Sequence, residues 1–275
     1  MKNILILIAV MFLVNACTEK IELDLNTLDQ RRLVVDGWIT NEADSHMVNL
    51  SYTVDFFAEE PAEQVTNATV SIFDGSTTIN LTQTKPGIYT SNAGYKGAIG
   101  KNYTLNINIE GEQYTSTTYL DSVMTIDSLS YSKKDDFGRD LETGENDLQL
   151  YRLLMTIKEL PGKGDYYAIR TFKNGILDSD SLYEYVFFDD QFIDGYHYKL
   201  ASYDIIEAEI GDVFDIELLS ISKQAYEAYQ AMFSETFRGG IFDAPPANVP
   251  SNVSNGALGI FNASAVSRGT FTITD

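Results

Sequence analysis

The sequence has 275 residues, with 40 Asp and Glu against 19 Lys and Arg and a formal net charge of −21. A field of that sign repels phosphate backbones and offers no polybasic grip on anionic lipid, which argues against nucleic-acid binding and charge-driven membrane binding. Hydrophobic residues at 44% and aromatics at 12% supply a packed core, so the chain is not a disordered one.

Residues 1–16 read as a signal peptide. Lys2 gives a basic start, and Ile4 to Val14 is an unbroken apolar stretch of 11 residues, far short of the ~20 needed to span a bilayer. A short apolar core behind a basic start is the pattern of a secretory signal. Val14-Asn15-Ala16-Cys17 then looks like a lipobox, with a small residue before the cut and a cysteine sulfur to take the diacylglycerol. Lipid attachment is expected at Cys17, with acyl chains such as palmitate as the anchor. Cys17 is the only cysteine, so neither an internal disulfide nor a cysteine metal site is expected. Thr18, where inner-membrane retention favours Asp, points to the outer membrane. The acid-rich run Thr18 to Asp24 partly resembles tags for the outer face, and equally fits a plain charged tether over 17–29. The membrane face therefore stays open. Removing the signal deletes one positive charge, that of Lys2, and takes the net charge to −22.

From 30 to 121 the period is two. Leu33 to Ile39 is a first strand. Val48, Leu50 and Tyr52 alternate with polar residues, as do Ala68, Val70 and Ile72, then Tyr103, Leu105, Ile107 and Ile109. One apolar and one polar face per run is what antiparallel strands with a wet side require. Asp74-Gly75, Pro86-Gly87 and Glu110-Gly111-Glu112 supply turns, the last before Tyr114 to Tyr119. This pattern predicts an immunoglobulin-like β-sandwich, with Trp38 as a core anchor rather than a ligand-stacking residue.

Residues 122–275 predict a second β-rich domain with one helix. Ser132 to Asn146 is polar and acidic, a loop or hairpin extension. Leu150 to Ile157, Tyr166 to Phe172, Tyr183 to Phe188 and Val213 to Ile221 read as strands. The spacing predicts a helix over 223–237, capped by Ser222, with Tyr226, Tyr229, Phe233 and Phe237 recurring on one face. Arg238 suits its last turn and Gly239-Gly240 ends it. The proline-rich run Ala244 to Asn252 fits neither helix nor central strand. Ala257 to Phe261 and Gly269 to Thr274 look like closing strands.

Several segments together carry a resemblance. They are Arg32-Leu33-Val34-Val35-Asp36-Gly37-Trp38-Ile39-Thr40, Ala68-Thr69-Val70-Ser71-Ile72, Gly87-Ile88-Tyr89 and Gly100-Lys101-Asn102-Tyr103-Thr104-Leu105. The most specific is Pro245-Pro246-Ala247-Asn248-Val249-Pro250-Ser251-Asn252-Val253-Ser254-Asn255-Gly256-Ala257-Leu258-Gly259. With the lipobox, this series resembles a family of Bacteroidetes-type outer-membrane lipoproteins described only as a domain of unknown function. Its members are typically encoded beside TonB-dependent receptors. The resemblance implies an accessory protein for such a receptor and brings no catalytic residues with it.

The residues themselves give no sharper chemistry. The two histidines, His46 and His197, lie in no zinc-protease, phosphate-loop or nucleophile-elbow pattern. Asp178 with Asp180, Asp189 with Asp190, and the run Asp140 to Asp147 offer oxygen ligands for calcium, without EF-hand spacing. Solvated hairpin tips on an acidic protein explain them more simply, so neither a metal nor a cofactor is expected. Asp121-Ser122-Val123, Asp127-Ser128-Leu129 and Asp180-Ser181-Leu182 look like short O-glycosylation motifs. The leading expectation is a non-enzymatic capture or docking subunit, with no ligand-binding residue identified. A surface hydrolase of peptide or glycan and a structural or adhesive surface protein are the alternatives.

Overall fold

The computed structural model describes residues 31–54, 60–133, 149–177, 186–236 and 248–274. Cys17 and its tether, Asp140 to Asp147, Asp178, Asp180, Ser181, and Arg238 to Gly240 lie outside these residues. The fold is mainly β, with one helix among the described residues.

The first seven strands are β1 (Leu33–Thr40), β2 (Met47–Tyr52), β3 (Ala68–Phe73), β4 (Thr78–Lys85), β5 (Ile88–Thr90), β6 (Lys101–Ile109) and β7 (Glu112–Leu120). Their spatial order is β1-β2-β5-β4-β3-β6-β7. Lettered A to G along the chain, this is A-B-E-D followed by C-F-G, the immunoglobulin arrangement. Alternation does the work: Leu33, Val35, Ile39, Val48, Leu50, Val70, Ile72, Tyr103, Leu105 and Ile107 all point into one core. The β6–β7 hairpin closes through Glu110 (φ 54°) and Gly111 (φ 96°), the paired left-handed geometry of a two-residue turn.

The later elements are β8 (Thr125–Lys133), β9 (Gln149–Lys158), β10 (Tyr166–Lys173), β11 (Ile176–Leu177), β12 (Val186–Asp189), β13 (His197–Ala208) and β14 (Val213–Ile221). Helix α1 (Lys223–Thr236), β15 (Leu258–Ser264) and β16 (Val266–Thr272) complete them. One sheet runs β11-β10-β14-β16, with β12 also on β10, and another runs β13-β9-β8. Tyr151, Leu153 and Met155 of β9 meet Tyr167 and Ile169 of β10 and Phe214, Ile216 and Leu218 of β14 in a second core.

The expected boundary after Asp121 separates these two cores over most of the chain, but the chain recrosses it. Strand β15 runs parallel to β1, with Val34 opposite Leu258 and Thr40 opposite Ser264, and so adds an edge to the first sandwich. After Ala265, which is fully buried, β16 pairs antiparallel with β14 in the second. Residues 32–275 accordingly form one unit by contact.

Two expectations change. Trp38 is not in the sandwich core: alternation turns Leu33, Val35, Gly37 and Ile39 inward, which leaves Val34, Asp36, Trp38 and Thr40 outside. Helix α1 begins where predicted, its Ala225 N–H donating to Ser222 Oγ at 3.1 Å. Its fully buried residues, however, are Ala225 and Ala228, with Tyr226 and Tyr229 of the expected stripe partly buried beside them and Phe233 42% exposed. Small residues let the helix lie close on Ala168, Leu219, Ile221 and Ile260.

Candidate functional site

The outer face of β1 is only partly open to solvent, with Val34, Trp38 and Thr40 half-buried and Asp36 exposed. The faces of β10, β14 and β16 and the helix stand against it, and between them lies a cleft of about 1020 Å³. Asp36, Trp38 and Thr40 line its floor, and Arg170, Glu217 and Arg268 line a wall. At its rim, Tyr229 stacks on Phe187 at 4.7 Å between centroids and on Trp38 at 6.3 Å. Mixed aromatic and charged lining at the junction of two sandwiches is a common setting for a binding site.

Trp38 is fixed by a buried polar knot. Its indole N–H donates to Ser264 Oγ at 2.9 Å, Asn262 Nδ2 donates to the same oxygen, and that hydroxyl donates to the carbonyl of Ser220. Arg170 lies over the indole, 5.6 Å from its centroid. An ion-pair chain then ties the walls together. Arg170 reaches Glu217 at 2.5 Å, Arg268 reaches the other Glu217 oxygen at 2.5 Å, and Arg268 also forks onto Glu42. Arg170 Nε and Glu217 Oε2 make no aligned hydrogen bond, so the Arg170 contact is an ion pair only. Glu217 is 3% exposed, and its two arginines are what make that burial tolerable.

Five carboxylates line the cleft against two arginines. Glu42 and Glu217 are held as described, Asp215 accepts from Thr270 Oγ1 at 2.6 Å, and Asp44 accepts from the Ser45 N–H. Asp36 has no hydrogen-bond or ion-pair partner among the described residues. It keeps open surface toward the cleft while protein crowds it elsewhere, and that desolvation raises its pKa. Asn49, opposite Asp36 on β2, adds a buried Oδ1 with no donor.

A second cluster joins Glu159, Asp165 and Asp190, with one oxygen of each within 4.8 Å of the others. Glu159 accepts from Tyr167 Oη at 2.9 Å and from the Gly195 N–H at 2.5 Å, and Asp190 accepts from the Gly164 N–H at 2.8 Å. The protein thus supplies donors of its own to the two buried acids. Burial first, then the charges of Asp121, Asp190 and Glu159, push Asp165 up to about 6. Of this trio, sequence reasoning had named only Asp190; Glu159 and Asp165 precede it by 31 and 25 positions, and no local spacing joins them.

The histidines play separate parts. His46 is buried, its Nδ1 accepting from the Thr40 N–H and its Nε2 set 2.9 Å from the Tyr95 carbonyl. Desolvation lowers its pKa. With both nitrogens engaged by backbone, it braces the β1–β2 connection at the end of the cleft. His197 pairs with Asp127 at 2.9 Å on an exposed surface. Asp189 ends β12 beside Asp190, and Ser122 and Ser128 sit near and on β8.

A family model for a domain of unknown function, DUF4249, matches residues 18–270. The chain belongs to this family. No curated protein sequence matches the DUF4249 chain. Among solved structures, an adhesin of Yersinia pseudotuberculosis, InvE, is similar at 12% identity over 68% of this chain, with a TM-score of 0.22. The chain spans about half, 55%, of that protein's length, and a likeness this slight bears on neither fold nor function. Among the described residues of the DUF4249 chain, no helix is long and apolar enough to cross a membrane.

Proposed function

We propose that this DUF4249 protein is a lipid-anchored outer-membrane binding protein that captures a ligand in the cleft for a TonB-dependent receptor. The observation that carries the reading is the cleft itself: an open 1020 Å³ space walled by Trp38, Tyr229 and Phe187 and braced by the Glu42–Arg268–Glu217–Arg170 chain. Pre-organised aromatic and charged walls lower the cost of ordering a site on binding. The lipobox ending at Cys17 supports the anchor, and the genetic context implied by the family resemblance supports the receptor.

A second reading, hydrolysis of a glycan or peptide, is favoured by one feature, the unpaired carboxylate of Asp36. A glycosidase needs a second free carboxylate at a set separation. Glu42, Glu217 and Asp215 are each committed to protein partners, which favours binding over catalysis.

Affinity purification of the acylated protein from its own membranes tests the proposal, with Cys17→Ala as control. A β-barrel receptor is expected with the wild type and is expected to be lost with the variant. Acylated protein that comes out alone would overturn the receptor role.

A further inference from the structure

We propose that the ligand of this cleft is an extended peptide bearing a Lys or Arg side chain, whose cationic head meets the Asp36 carboxylate beside Trp38. The inference rests on the capture reading above and adds the ligand's chemistry to it.

Charge gives the first argument. Five carboxylates and two arginines leave the cleft formally negative by three. The arginines are spent on Glu217 and Glu42, so Asp36, Asp44 and Asp215 are left without a cation, and of these three Asp36 alone accepts no hydrogen bond among the described residues. An exposed carboxylate with no partner of its own is free to take a donor-rich cation, and a charge-assisted hydrogen bond is about twice as strong as a neutral one. The donorless Asn49 oxygen opposite it leaves the same spot short of donors.

The protein itself shows how such a group is taken. Arg170 lies over the Trp38 ring and pairs with Glu217 at 2.5 Å, an aromatic face and a carboxylate sharing one guanidinium. Asp36 stands two residues from Trp38 on the same face of β1 and offers a carboxylate beside an aromatic without the cation. Shape gives the third argument. The cleft floor follows β1 from Val34 to Thr40, roughly 20 Å at about 3.3 Å per residue. That length suits about six residues of extended chain. Phe172, Leu177 and Met232 add apolar lining for neutral side chains.

Trp38 is the only tryptophan in the chain, so its emission reports occupancy of this cleft. Three probes are titrated at physiological ionic strength: a capped hexapeptide of alanine and glycine with two lysines, the same peptide with norleucine for lysine, and spermidine. The lysine peptide is expected to change the emission saturably. The norleucine peptide is expected to bind at least about tenfold more weakly, and Asp36→Asn to weaken the lysine peptide by a similar factor. Glu112→Gln, which removes the same charge outside the cleft lining, is expected to bind as the wild type does; circular dichroism and urea midpoints confirm that both variants fold. Equal binding of the norleucine peptide, an unaffected Asp36→Asn, spermidine binding as tightly as the peptide, or no response to any probe would overturn the proposal. The receptor role is judged separately by co-purification, which none of these results touches.

Discussion

Asp165 shows what a single misplaced charge does to stability. Its folded pKa of about 6 exceeds the ordinary 3.8, so the folded protein holds this proton more tightly than the unfolded chain does. The stabilisation that comes with protonation is complete below about 3.8 and is lost as pH rises through about 6. Asp165→Asn keeps the neutral shape at every pH. It is expected to be more stable than the wild type at pH 8, by about 1 kcal/mol once solvent screening is allowed for. The gap should close as pH falls below about 4. Urea midpoints of both proteins at several pH values check this, and a gap that does not vary with pH would contradict it. Comparing the two proteins also cancels His46, whose depressed pKa acts in the opposite sense, destabilising the fold as pH drops below 6.5. At this scale the sequence was partly legible. The strand Leu33 to Ile39 was legible, but the immunoglobulin-like pattern suggested a core anchor for Trp38, whereas alternation along β1 puts Asp36 and Trp38 on its outward face. Nothing local says that another sheet will stand opposite that face.

At the scale of elements, regular alternation and turn chemistry carried the reading, and irregularity defeated it. β1, β2, β3, β6 and β7 follow the period of two and lie where that period puts them. β8 and β13 went unread, and both pair with β9 through register shifts, at Ile126/Ser128 and between Tyr198 and Asp204. A bulge moves later side chains to the other face and erases the alternation that a reader counts. The helix start was legible because Ser222 caps locally. Its packing face was legible in part: Tyr226 and Tyr229 of the aromatic stripe pack against the core as their spacing suggested, whereas the close approach is made by Ala225 and Ala228, which that stripe did not include. The run Ser251 to Gly259 has a physical reason for its composition. Asn252 both donates to and accepts from the Phe261 backbone, and Ser254 bonds to Thr115. Gly259 has φ 96°, and a Cβ there would stand 1.9 Å from the Val35 carbonyl oxygen. Gly259→Ala must therefore part β15 from β1. It is expected to cost about 3 kcal/mol or more, seen as a lower urea midpoint; an unchanged midpoint would mean that this pairing does not hold the two sandwiches together.

At the scale of the whole molecule, the mainly β class follows from composition and periodicity, whereas the cleft does not. It exists because residues 258–264 return to pair with β1, more than 200 positions earlier, and continue into β16 of the other sheet. Parallel pairing at that distance leaves no mark in local spacing. The same return brings Arg268 to Glu42, Ser264 to Trp38 and Ile260 to the helix. The site is thus a product of topology, assembled from residues that are individually ordinary. Its role as the meeting place with what the protein captures is open to direct measurement in living cells. A photocrosslinking p-benzoylphenylalanine replaces Met47, which is 47% exposed and lines the cleft, or Glu112, which lies outside the cleft lining. Adducts are predicted from position 47, and their loss is predicted when Asp36→Asn and Trp38→Ala are added. Adducts from position 112 alone, or adducts at 47 that survive both substitutions, would contradict the assignment of function to this cleft.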